Sequence, residues 1–85
     1  MPYIKPSDRV KIDTAVTQLP LDMSIGQLNY LITQVLMWYL RPEPRYEDLN
    51  ALLGVLEAVK HELYRRLAVP YEDKKKEENG DVYGS

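Results

Sequence analysis

YEDLNALLGVLEAVKHELYRRLAV, residues 46–69, is the stretch that decides the fold. It contains no proline, and Gly54 alone interrupts a run of good helix formers. Leu49, Leu52, Leu53, Leu56, Val59, Leu63 and Leu67 keep a seam close to heptad spacing, so the stretch reads as one long helix with an apolar face. At 1.5 Å of rise per residue, such a rod is roughly 30–35 Å long. Pro70 is expected to end it, because proline donates no amide hydrogen bond and its ring clashes with the preceding turn.

Upstream lies a partner for that face. Ser24 and Gln27 have the spacing of a capping box, in which each side chain satisfies a backbone amide at the helix start. Leu28, Leu31, Ile32, Val35, Leu36, Tyr39 and Leu40 follow as a broad apolar face, and Ile25, Met37 and Trp38 extend it. Arg41-Pro42-Glu43-Pro44 cannot continue this helix and makes a stiff connector. The two helices are expected to form an antiparallel hairpin. A shorter helix over residues 7–19 carries Ile12, Ala15, Val16 and Leu19 on one side, has Asp8 in its first turn and stops at Pro20. The predicted class is all-α: a helical hairpin with a short extra N-terminal helix.

Downstream the composition changes. Residues 70–85 are dominated by charge, with Val82 as the one aliphatic side chain of any size. Residues 72–79 have the makings of a short helix with Gly80 as its stop, and residues 79–85 read as turn and tail. Residues 1–69 are thus expected to form a three-helix domain. Residues 70–85 are expected to be a charged C-terminal tail, partly mobile or docked on a neighbouring subunit.

Eighty-five residues make one small domain. A fold of this size buries roughly 60% of the surface its unfolded chain exposes, so its stability is marginal without help. There is no cysteine, which removes disulfides, thiolate chemistry and thiol-based zinc sites. Self-association is the support that remains, and a homo-oligomer is expected. The apolar stretch from Val35 to Leu40 falls far short of the ~20 residues a spanning helix needs, and the N-terminus holds no signal-like apolar run. A cytoplasmic protein without membrane attachment is the expectation. Net charge is −2, and the one dense basic run, Lys74-Lys75-Lys76, is flanked by Glu72, Asp73, Glu77 and Glu78. That pattern gives no basic face for DNA or RNA.

Catalytic motifs are missing. No glycine-rich phosphate loop is present, and His61 is the single histidine. Glu57 and His61 lie one helical turn apart, as do Glu62 and Arg66, and both read as solvated i, i+4 pairs. Helical nucleotide pyrophosphatases hold magnesium with ExxE and ExxD pairs. Here Glu43, Glu47, Glu57 and Glu62 lack an acid at i+3, and the one match, Glu78 with Asp81, contains a glycine.

Two groupings suggest contacts. Ala51, Val55 and Ala58, with Gly54 beside them, form a face of small residues that a second helix can approach closely. This face, with Ile25, Met37 and Trp38, makes up the candidate interface; packing against the first helix is the competing explanation for the small residues. Tyr64, Arg65, Arg66, Tyr71, Lys74 and Lys75 bring rings and cations together, a combination suited to stacking on a base and pairing with phosphate. The competing explanation is that the arginines complement a helix C-terminus while the tyrosines cover a core edge.

The run from Gly54 to Arg66, then Pro70-Tyr71-Glu72-Asp73-Lys74-Lys75 and Glu78-Asn79-Gly80-Asp81-Val82-Tyr83, resembles a family of short uncharacterised helical proteins from phages and prokaryotic genomes. Met1-Pro2-Tyr3-Ile4-Lys5-Pro6 and Leu28-Asn29-Tyr30-Leu31-Ile32-Thr33 fit the same pattern. The resemblance implies no catalytic residue. It does imply a viral or mobile-element setting, in which small helical oligomers block or sequester host factors.

The sequence therefore points to a non-enzymatic helical oligomer, without cofactor or metal, that acts by binding a protein partner or by building a structure. A protein that binds or sequesters a small signalling nucleotide through the Tyr/Arg/Lys cluster is the alternative. An enzyme whose site is built between subunits from Glu57, His61 and Glu62 is a third reading.

Overall fold

A computed structural model describes residues 1–84 of the chain. Four α-helices follow in order: α1 (Pro6–Val16), α2 (Ile25–Tyr39), α3 (Tyr46–Leu63) and α4 (Val69–Asn79), with a π-helical turn (Tyr64–Ala68) between α3 and α4. No strand occurs among the described residues, and the fold is all-α as predicted. The chain divides into two units, Met1–Leu52 and Leu53–Ser85, with the boundary falling inside α3. Ser85, the last residue of the predicted tail, lies outside the described residues.

In the first unit, α1 starts at Pro6, whose fixed φ suits the first helical position. Arg9 Nε donates to the Ile4 carbonyl (2.8 Å) and ties the N-terminal arm to that start. The helix ends at Val16, three residues before the predicted end. The intervening residues turn through i→i−3 bonds, Gln18 to Ala15 and Leu19 to Val16 (both 3.1 Å). Thr17 Oγ1 donates to the Thr14 carbonyl (2.6 Å), the acceptor an α-helical Gln18 amide would use, and Pro20 then disfavours the α conformation at Leu19. At α2 the capping box is complete: Gln27 N–H donates to Ser24 Oγ (3.1 Å) and Ser24 N–H donates to Gln27 Oε1 (2.8 Å). At the start of α3, Asp48 Oδ2 accepts from the Arg45 amide (2.8 Å) and lies 3.7 Å from Arg41 Nε, which fastens the proline-rich connector.

The second unit corrects one expectation. Pro70 does not stop the helix; it sits in the first turn of α4. An α-helical Pro70 would collide with the Arg66 carbonyl. Here the backbone widens first: the Val69 amide donates to the Tyr64 carbonyl, five residues back. That extra residue in the turn lets helical geometry resume through the proline. The short helix expected over residues 72–79 is present and begins earlier, at Val69. The predicted stop at Gly80 is present, with φ 90° and ψ 150° and its amide donating to the Lys76 carbonyl (2.8 Å).

No side chain is buried among the described residues. Ile12 and Val16 on α1, Ile25, Leu28, Ile32, Val35 and Tyr39 on α2, and Leu49, Leu53, Val59 and Leu63 on α3 are all exposed. Leu19, Leu31, Leu36, Leu40 and Leu52 are half-buried. Leu56, which the heptad seam predicts to be a core residue, is 38% exposed. The spacing creates an apolar face, but a face becomes a core only where a second apolar surface meets it.

Candidate functional site

A groove of about 440 Å³ lies in the second unit, lined by Tyr64, Val69, Tyr71, residues along one side of α4, and Gly80 to Tyr83. Gly80 makes it. Its backbone occupies a region essentially restricted to glycine, so the chain can turn sharply where α4 ends. Asp81 then closes the turn, its Oδ1 accepting from the Tyr83 amide (2.8 Å). That bond, with help from the Gly84 amide, holds the Asp81 carboxyl below the usual aspartate range.

The wall of the groove combines rings and charges. The negative charge of Glu72 raises the pKa of the Tyr64 phenol, and a hydrogen bond from the phenol to the same carboxylate adds to the shift. Lys75 Nζ stands 5.7 Å from the centre of the Tyr71 ring and 3.4 Å from Glu78 Oε2. Glu72, Asp73 and Asp81 supply three carboxylates, against two ammonium groups from Lys75 and Lys76.

Of the cluster predicted to bind a ligand, Tyr64, Tyr71 and Lys75 line this groove, while Arg65, Arg66 and Lys74 do not. Arg65 makes a two-pronged contact with Glu62, 3.1 Å to each carboxylate oxygen. The sequence pairing of Glu62 with Arg66 therefore gives way to an i, i+3 pair with Arg65. Glu72, Asp73, Lys76, Asp81 and Val82 join the lining unforeseen. The signal for Asp81 and Val82 was the Asn79-Gly80 turn itself, which brings the following residues back beside α4. Glu57 and His61 are the solvated pair expected, Oε1 to Nε2 at 3.2 Å. No group of three potential metal-ligating side chains gathers among the described residues.

The candidate interface residues divide by location. Ile25 and Trp38 are each 84% exposed, and Met37 is exposed too. Ala51 lines a smaller hollow of about 340 Å³ in the first unit, with Tyr39, Leu40, Arg41, Asp48 and Leu52. Val55 is exposed and Ala58 half-buried, and open space surrounds the position a Cβ would take on Gly54. No helix among the described residues is long and apolar enough to cross a membrane.

No curated protein and no solved structure matches the chain. A family model described as a domain of unknown function (DUF6899) matches residues 1–82, and the chain belongs to that family.

Proposed function

We propose that this chain is a non-enzymatic helical protein that assembles with copies of itself and acts by binding a protein partner. The observation that carries the reading is the open state of the apolar side chains. Ile25, Trp38, Leu53 and Leu63 stand in solvent, and no described residue is buried. A chain this small needs nearly all of its apolar surface to stay folded. Association supplies the missing burial, and binding a partner draws on the same faces. The resemblance of the C-terminal half to phage and prokaryotic proteins supports a mobile-element setting, with a host factor as the partner.

A nucleotide ligand has less support. The groove offers three tyrosine rings for stacking, but its carboxylates outnumber its cations, and both arginines lie outside it. Phosphate would meet net negative charge.

Sedimentation velocity from nanomolar to high micromolar concentration tests the assembly. A dimer or larger species is expected, with a melting temperature that rises with concentration. A monomer at every concentration, with a cooperative melt, would end the proposal. A thermal shift with mono-, di- or cyclic nucleotides that Tyr71→Ala and Lys75→Ala abolish would restore the nucleotide reading.

A further inference from the structure

We infer that a second copy of this chain covers the α2 face formed by Ile25, Leu28, Ile32, Val35 and Tyr39, pairing α2 with α2. The inference rests on the assembly reading above and names the surface. These residues follow one another at steps of three and four, the spacing of a coiled-coil seam, and all five are exposed. Ile25, Ile32 and Tyr39 occupy one heptad position and Leu28 and Val35 the other, so both core positions of the seam are apolar along its whole length.

Charge identifies the occupant. From Met23 to Leu40 the chain has no acidic or basic residue. The positions flanking the seam, Asn29, Leu31, Leu36 and Trp38, are therefore neutral. In coiled coils these flanking positions select partners through opposite charges and reject wrong ones through like charges. An α2 seam has no charge with which to reject its own copy, and none to match a charged groove on another protein. A lipid surface is a poor fit, because helices that lie on membranes carry a basic polar face. The area also suffices. The seam and Trp38 expose on the order of 700 Å² per copy, taking typical areas for four aliphatic and two aromatic side chains. A standard interface covers about 800 Å² on each partner.

The chain has no cysteine, so engineered thiols report cleanly. Ile32 is the middle residue of the seam and meets its own copy when the two α2 helices run parallel and in register. In the full chain, Ile32→Cys is expected to form a covalent dimer under mild oxidation at least tenfold faster than Gln34→Cys, which lies off the seam. Ile32→Asn, measured by sedimentation, is expected to shift the native protein toward monomer at least tenfold in concentration. Equal cross-linking at the two positions would overturn the inference. So would an Ile32→Cys thiol that is protected from alkylation in a monomer, which would mean another part of the same chain covers the seam. If the native protein is oligomeric but neither Ile32 variant behaves as expected, the α2 pairing fails and the assembly reading survives. If the native protein is monomeric throughout, both fail.

Discussion

α2 and α4 solve the problem of being a helix in opposite ways. α2 has no charged residue, depends on a complete capping box at its start, and presents a broad apolar face. α4 carries an unbroken run of charge from Glu72 to Glu78, secures itself with the Lys75–Glu78 pair and the Gly80 stop, and needs no neighbour. A broad apolar face on a helix is stable only when covered, whereas a charged helix is already at home in water. On the proposed assembly, the difference separates the helix whose face calls for a cover from the helix that does not.

Breaking α2 should cost most. Ile32→Glu places an unpaired carboxylate in the proposed seam, at roughly 3–5 kcal/mol, the scale for an uncompensated buried charge. A domain of this size has ~5 kcal/mol in total. The variant should be monomeric and largely unfolded at room temperature by circular dichroism. Lys74→Gln on α4 should shift the melt by less than ~0.5 kcal/mol, as surface changes do. Equal shifts for the two variants would erase the distinction.

Leu56→Ala sharpens it on α3. If assembly covers the leucine seam, the truncation costs about 2–5 kcal/mol. If Leu56 stays as open as it is in the single chain, the loss is about 0.5 kcal/mol or less, within the range of ordinary surface substitutions. Thermal melts at two protein concentrations separate these outcomes, because covered leucines make the loss depend on concentration.

The helices were legible because periodicity, proline and capping signals act locally. Ser24 with Gln27 marked the start of α2, and Gly80 marked the end of α4. Pro70 misled because the rule against proline inside a helix assumes 3.6 residues per turn; one widened turn at Tyr64–Ala68 removes the clash, and nothing in the local composition announces it. The groove was half legible. Tyr64, Tyr71 and Lys75 come together through helical spacing, but Asp81 and Val82 enter through a backbone turn whose direction depends on the Gly80 dihedrals. The apolar faces were readable, whereas their covering surfaces are a matter of tertiary and quaternary contact that spacing does not encode.

Gly80→Ala tests the groove side. A side chain in that backbone conformation costs roughly 1–3 kcal/mol. The expected response is local: α4 frays at its end, and the amides of Val82 and Tyr83 exchange faster, while the α2 amides keep their protection. Ser24→Ala tests the other side at a cost of about 1 kcal/mol, the usual value of a lost N-cap. Its effect should appear in amide exchange at the first turn of α2 and in the melt of the whole assembly.

The smallest effect concerns Tyr64 and separates the groove from the rest of the chain by pH alone. The charge of Glu72 beside the phenol, and the hydrogen bond the phenol donates to it, raise the Tyr64 pKa above the ordinary 10.0, with Tyr83 and Asp73 adding to the shift. A raised phenol pKa means the neutral form is favoured in the folded state. The stabilisation is therefore complete below the ordinary tyrosine range and is lost as pH rises through the folded-state value. Asp81 runs the other way: its carboxyl is lowered from 3.8, chiefly by the Tyr83 amide, so its contribution holds above that value and disappears as pH falls through the folded-state value. Both groups are solvent-exposed, so the effect on the global melt should be slight. The measurement is a titration of ring carbon shifts in tyrosine-labelled protein, with Tyr64 assigned from the Tyr64→Phe variant. Tyr64 should titrate above the ordinary tyrosine range, and Glu72→Gln should return it toward that range. A Tyr64 that titrates at the ordinary tyrosine value in the native protein would show that the groove wall is not formed in solution.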